Sequence, residues 1–241
     1  LPKPMHEIAV GYAEDSLLTQ AQALAASLNI PLDNQSPNRL VITAERLVLQ
    51  IQGFKPQYAD FSSKQWQRRR DAGKQQGLVK ACKPARGMKI LDVTAGWGRD
   101  AAILASFGAE VHMLERHAVM AALLADALAR RDPRSCEVLH LQVQHQDALE
   151  YLGQLTEPDY PDVIYIDPMH PPREKSALVK KDMQILQQLI GEDRDALALL
   201  TLAKSKVRQR VVVKWPQHTA PLAKPSRHIE GKTVRFDIYL P

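Results

Sequence analysis

With 241 residues, 45% of them hydrophobic and 24% charged, the chain has an ordinary globular composition and room for one large α/β domain with a smaller appendage. No apolar run approaches the roughly 18 to 20 residues of a membrane span, and the first residues lack the apolar stretch of a secretion signal. A net charge of +5, from 32 Lys and Arg against 27 Asp and Glu, suits a nucleic-acid partner without requiring one.

Residues 1–85 read as an α+β region. EIAVGY is a short strand. DSLLTQAQALAASLNI has helical periodicity, with Asp15 or Ser16 as its N-cap. RLVITAERLVLQIQG gives two short strands around a turn at Thr43-Ala44-Glu45. SSKQWQRRRDAGKQQGLVKACK is polar, basic and helical in two pieces, broken at Gly73 and Gly77. Residues 86–241 then alternate strand and helix, with strands expected at KILDV, EVHMLE, CEVLHLQV, DVIYID, RVVVKW and KTVRFDIYL. Helices of ten or more residues between strands argue for βαβ units and a largely parallel sheet, closed by an antiparallel hairpin at the end. Cys82 and Cys136 have no CxxC spacing, so a reduced, cytoplasmic protein with two packing cysteines is expected.

The stretch LDVTAGWGRDA puts Gly96 and Gly98 after the first parallel strand and at the start of a helix. Glycines there let backbone approach a ligand, and the helix start adds unpaired N–H groups. Glu115 ends the next strand, where an acid can accept both hydroxyls of a ribose. Gly96-x-Gly98-x-x-Ala101 also fits the dinucleotide fingerprint, which makes an NAD-dependent oxidoreductase a competing reading. Asp92, with Thr94 just beyond it, opposes that reading: a carboxylate beside the loop repels a diphosphate but suits the cationic amino-acid end of S-adenosylmethionine. Asp100 in the first helical turn is equally unwelcome beside a diphosphate, though it suits the helix dipole.

A second corner, DPMHPPREKSALVKK, follows the apolar DVIYI. Ligands of open α/β sheets sit at such strand ends. The segment is similar to the [DNS]-P-P-[YF] motif of methyltransferases that act on planar amino groups. An exocyclic base amine has its lone pair delocalised into the ring. Two acceptors for its N–H bonds, here Asp167 and the carbonyl of Pro168, aim the nitrogen for in-line attack. Prolines stiffen the turn, Met169 replaces the second proline, and His170 stands at the stacking position usually held by Tyr or Phe. Metal chemistry is not expected, since no His/Cys cluster has ligand spacing.

DVTAGWGRDAAILASFGAEVHMLERH, DPMHPPREKSALVKKDM, RVVVKWP and RFDIYL together resemble the RsmJ family, bacterial 16S rRNA guanine-N2 methyltransferases. The likeness is specific from about Lys89 to Pro241 and weaker over LVITAERLVLQ and QRRRDAGKQQGLVKA. It implies a Rossmann-like class I fold with a mostly parallel seven-stranded sheet. It implies S-adenosylmethionine as cofactor, S-adenosylhomocysteine as product, and 16S rRNA or the small ribosomal subunit as partner. Cofactor contacts would fall on Arg99 and Asp100, Glu115 and Arg116, Gln146 and Asp147, and Asp167. Asp147 fits independently, as an acid after the third strand able to meet an adenine amino group. The basic residues Arg173, Lys175, Lys180 and Lys181 would flank the target nucleotide's phosphates. Arg68, Arg69, Arg70 and Lys74, with Trp66, are candidates for further rRNA contact. A non-catalytic rRNA-binding assembly factor, and a methyltransferase acting on DNA adenine or a protein amide, stay open beside this reading.

Overall fold

The computed structural model describes residues 8–71, 73–169 and 195–241. The chain opens with a three-stranded sheet in the order β1-β2-β3. Strand β1 (Ala9–Tyr12) runs parallel to β2 (Arg39–Ile42), which pairs antiparallel with β3 (Leu47–Gln50). The turn between β2 and β3 is held by Thr43, whose hydroxyl donates to the Arg46 carbonyl at 2.9 Å and accepts the Arg46 N–H at 3.1 Å. Helix α1 (Leu18–Leu28) lacks the side-chain cap expected from Asp15 or Ser16. A 3-10 turn (Asp15–Leu17) leads into it, and the Ser16 hydroxyl donates to Glu14 Oε1 instead. Helices α2 (Ser63–Asp71) and α3 (Gly77–Cys82) follow, separated by a short 3-10 turn at Gly73–Gln75.

The second sheet has seven strands in the order β6-β5-β4-β7-β8-β10-β9. These are β4 (Lys89–Asp92), β5 (Glu110–Glu115), β6 (Leu141–His145), β7 (Val163–Ile166), β8 (Arg210–Pro216), β9 (Arg227–Ile229) and β10 (Val234–Tyr239). The first five in that order are parallel, and β10 pairs antiparallel with both β8 and β9. Helices α4 (Arg99–Ser106), α5 (Ala118–Ala129), α6 (Pro133–Val138), α7 (Ala148–Gln154) and α8 (Ala196–Lys204) connect them. Two details differ from the sequence reading. Residues 136–138 of CEVLHLQV are helical, because the Asp132 carboxylate accepts the Ser135 N–H at 3.0 Å and Pro133 fits the first turn of α6. The seven-stranded sheet is as expected, but its seventh strand, β9, falls at residues the sequence does not mark, since three residues are too few to show a period.

Alternation along the central strands feeds two cores. Ile90 joins one cluster and its neighbour Leu91 the other, on the opposite sheet face. The Ile90 cluster continues without a break into the N-terminal region through Leu40, Leu49, Phe61 and Trp66. Each such fully buried side chain stabilises by about 1.5 to 3 kcal/mol. Hydrogen bonds reinforce the junction. The N–H of Leu47 donates to Asp126 at 3.0 Å, that of Ser63 to Asp132 at 2.6 Å, and the Trp66 indole to the Ser135 hydroxyl at 2.8 Å.

The chain leaves β4 toward β5 and β6 on one side, then returns to β7 and β8 on the other. The strand order therefore reverses between β4 and β7, the place where open α/β sheets hold ligands. Asp92 ends β4 and Asp167 directly follows β7.

Candidate active site

The loop between β4 and α4 needs both its glycines. Gly96 and Gly98 have φ of +53° and +70°. A Cβ on Gly98 would also sit 2.5 Å from the Phe61 ring, so space and backbone exclude a side chain there together. Glu115, 5% exposed, ties this loop to the end of β5. Its carboxylate accepts the Gly96 N–H at 3.2 Å and the His117 N–H at 2.8 Å.

Carboxylates converge on the loop. Asp92 is 1% exposed and accepts the Thr94 N–H at 3.1 Å. Burial pushes its pKa up to about 8, and the nearby acids Asp100, Asp167 and Glu115 add to the shift against that one hydrogen bond. Asp100 behaves oppositely. Burial works to raise it, but Lys214 at 3.3 Å and Arg69 at 2.6 Å, with the Tyr165 hydroxyl donating at 2.6 Å, hold it well below the usual carboxylate range. The Lys214 ammonium also meets the Asp167 carboxylate at 2.8 Å. Burial alone would lower Lys214; Asp167 and Asp100 hold it above its ordinary value, fully charged. The Asp167 N–H donates to Thr94 Oγ1 at 2.7 Å. One ammonium on β8 thus links the start of α4 to the corner after β7.

These groups line a cleft of about 340 Å³. Of the residues singled out from the sequence, Asp92, Thr94, Gly96, Arg99, Asp100, Glu115, Arg116, Gln146, Asp147 and Asp167 line it together. Gly98 and Pro168 are buried and do not line it. Asp147 is also the N-cap of α7, where Oδ1 accepts the N–H groups of Leu149 and Glu150. A larger groove of about 800 Å³ runs along β6 and α7. It shares Gln146 with the cleft but includes neither the glycine loop nor the converging acids, so the smaller cleft is the candidate site.

The basic candidates separate. Arg68 is exposed, whereas Arg69 turns inward to Asp100 and lines the cleft. Arg70 is half-buried, with its guanidinium 5.7 Å from the Phe107 ring centre. Trp66 is 3% exposed, which removes it as an rRNA contact: its ring fills the core and its N–H is used by Ser135. Cys82 is buried as expected, but Cys136 is exposed. His170, Arg173, Lys175, Lys180 and Lys181 lie outside the described residues, as does the Lys74 side chain. Among the described residues no group of acids, histidines and cysteines could hold a metal, and no helix is long and apolar enough to cross a membrane.

The sequence does not single out Lys214 or Tyr165, and it assigns Arg69 to rRNA where the fold turns it inward to Asp100. Lys214 leaves a signal, a charge set between Val213 and Trp215 in the otherwise apolar run from Val211 to Trp215.

A family model described as "Putative SAM-dependent methyltransferase" matches residues 23–241. The "Ribosomal RNA small subunit methyltransferase J" of Legionella pneumophila (strain Corby) is 58% identical over 233 residues, covering 97% of this chain and 96% of that protein. The protein of the same name from Coxiella burnetii (strain Dugway 5J108-111) is 42% identical over 251 residues, covering 97% and 96%. A SAM-dependent methyltransferase of known crystal structure from Neisseria gonorrhoeae superposes with a TM-score of 0.75 at 28% identity, covering 97% of this chain and 96% of that one.

Proposed function

The chain belongs to the SAM-dependent methyltransferase family that these relatives share, and from that premise we propose that it methylates the exocyclic N2 of a guanosine in 16S rRNA, with S-adenosylmethionine as donor. The observation that carries the reading is the convergence of Asp92, Asp100, Glu115 and Asp167 on one cleft at the sheet's switch point. An acidic cleft suits a ligand that carries an ammonium and a sulfonium, and disfavours the diphosphate of a dinucleotide.

When bound, S-adenosylmethionine supplies a methyl group already activated by sulfonium charge. The protein's share is placement. Asp92 and the glycine loop face the cationic end. Glu115, at the end of β5 beside the glycine loop, takes ribose hydroxyls. Gln146 and Asp147 stand for the base. Asp167 accepts an N–H of the guanine amine, and Lys214 fixes the carboxylate. The amine proton leaves after transfer, to Asp167 or water. The guanosine must be unpaired or flipped to reach this corner, which costs roughly a few kcal/mol. We assign Arg68, Lys74, Arg173, Lys175, Lys180 and Lys181 to rRNA phosphates, and residues 1–85 to a supporting region beside the methyltransferase body at 86–241.

The test is labelled methyl transfer from S-adenosylmethionine to naked 16S rRNA and to small subunits from cells lacking the enzyme, followed by nucleoside analysis. N2-methylguanosine at one site is the expected result. Cofactor binding without incorporation would leave a non-catalytic rRNA-binding role in its place.

Asp92 gives the site a pH signature. Its pKa rises on folding from 3.8 to about 8, so the folded protein holds a proton that the unfolded chain has lost. Stability of the cofactor-free protein therefore falls as pH rises between those two values, and Asp92→Asn flattens that part of the curve. A cationic ligand reverses the shift, so S-adenosylmethionine binding at pH 7 releases a proton. Calorimetry in two buffers of different ionisation enthalpy measures that release; buffer-independent heats would refute it.

A further inference from the structure

A third cavity, of about 460 Å³, opens where the C-terminal ends of α3 and α4 meet β9. Its floor is apolar, formed by Val79, Phe107 and Ile229. Its rim carries Lys80, Lys83 and Arg227, all exposed, and no acid lines it. None of the three cations has an ion-pair partner among the described residues. The Arg70 guanidinium lies 5.7 Å from the Phe107 ring centre, and its buried Nε has no hydrogen-bond partner among the described residues.

Lys83 adds an independent sign. It is the C-cap of α3 and holds φ of +50°. Glycine or asparagine normally takes that left-handed position, because a Cβ strains it. A lysine kept there puts a charged side chain on the rim at the expense of local backbone comfort, and such outliers cluster at functional surfaces. Basic residues at helix ends also complement helix dipoles. That role would require neither an aromatic floor nor Arg227, which comes from a strand.

We propose that this cavity is a second rRNA contact, with Lys80, Lys83 and Arg227 on phosphates and one unpaired base over Phe107. Basic rims around an aromatic platform are how proteins hold single-stranded nucleic acid without reading its sequence. The inference rests on the rRNA methyltransferase reading and extends the substrate's footprint. Helix α4 connects the two sites: Gly98 at its start borders the glycine loop and Phe107 at its end lines the cavity, about 13 Å along the axis. A folded RNA with its target base in the cleft extends that far.

The test compares wild type with a Lys80→Ala/Arg227→Ala variant of the full chain. 16S rRNA affinity is measured over a salt series, and steady-state methylation of small subunits alongside it. The two removed phosphate contacts should weaken RNA binding at least tenfold at moderate salt and lower the slope of log affinity against log salt by about 1.4 to 1.8. KM for small subunits rises while kcat, melting temperature and S-adenosylmethionine affinity hold. Lys80→Arg/Arg227→Lys, which keeps both charges, restores affinity. Unchanged RNA affinity and salt slope in the folded alanine variant would overturn the contact and leave the methyltransferase reading standing. Wild type that neither binds nor methylates the RNA would overturn both.

Discussion

Asp167→Ala lowers kcat for methyl transfer by about 10²- to 10³-fold while the protein stays folded and keeps S-adenosylmethionine affinity within about tenfold. The fold survives because Asp167 is a strand-end residue whose backbone N–H still donates to Thr94, and because Lys214 still has Asp100 at 3.3 Å. Cofactor affinity survives because Asp92, Glu115 and the glycine loop are untouched. What goes is the acceptor that aims the guanine nitrogen. Asp167→Asn separates charge from hydrogen bonding: it retains an acceptor oxygen but loses the attraction to Lys214, and its activity falls between the two. Single-turnover rates with saturating cofactor check this. A full rate in the alanine variant would move the acceptor role elsewhere in the corner.

Lys214→Met strikes the same step from a distance. The ammonium stands between Asp100 and Asp167, and removing it leaves two acids facing each other without the cation they share, while Arg69 and the Tyr165 hydroxyl stay on Asp100. Stability falls by about 1 to 3 kcal/mol, the range for stripping a partner from a half-buried charge. The pH dependence has a definite sign. Asp100 has a lowered pKa in the fold, so its contribution is present above the ordinary carboxylate range and fades as pH drops through the depressed value. The variant loses part of that contribution at neutral pH and is correspondingly less sensitive to acid. Because Lys214 positions Asp167, kcat falls roughly tenfold to a hundredfold while KM for the cofactor moves little. Lys214→Arg, which restores the charge with a different shape, recovers stability more fully than rate. A methionine variant with normal kcat would make the ammonium purely structural.

Much of this site can be read from the chain alone, and for one reason: its acids sit at strand ends. Asp92, Glu115 and Asp167 close the apolar runs KILD, EVHMLE and VIYI, so locating the strands locates the ligand edge of the sheet. The glycine loop is local in the same sense. The Lys214 bridge is not. It joins residues 47 and 114 positions apart, and only the pairing of β7 with β8 brings them together. Trp66 was misread because its helix is polar around almost every other position, so nothing in the spacing announces a buried ring. CEV lies beside the β-forming run LHLQV, but the helix start at Asp132-Pro133 sets its conformation. In both cases a long-range partner or a local cap outranked propensity.

The junction between the three-stranded and the seven-stranded sheet has a consequence for how such proteins exchange parts. Asp126, Asp132 and Ser135 belong to α5 and the start of α6, yet their hydrogen-bonding atoms serve Leu47, Ser63 and Trp66. A recombinant that joined residues 1–85 of one relative to residues 86–241 of another would keep the backbone N–H donors at positions 47 and 63, but would match them only where the second relative carries acceptors at 126 and 132, and would set Trp66 against a pocket shaped for a different ring. Compatible crossovers are those that carry Trp66 and Ser135 together. The two segments are therefore expected to travel through descent as one inherited block, although the fold draws them as two sheets.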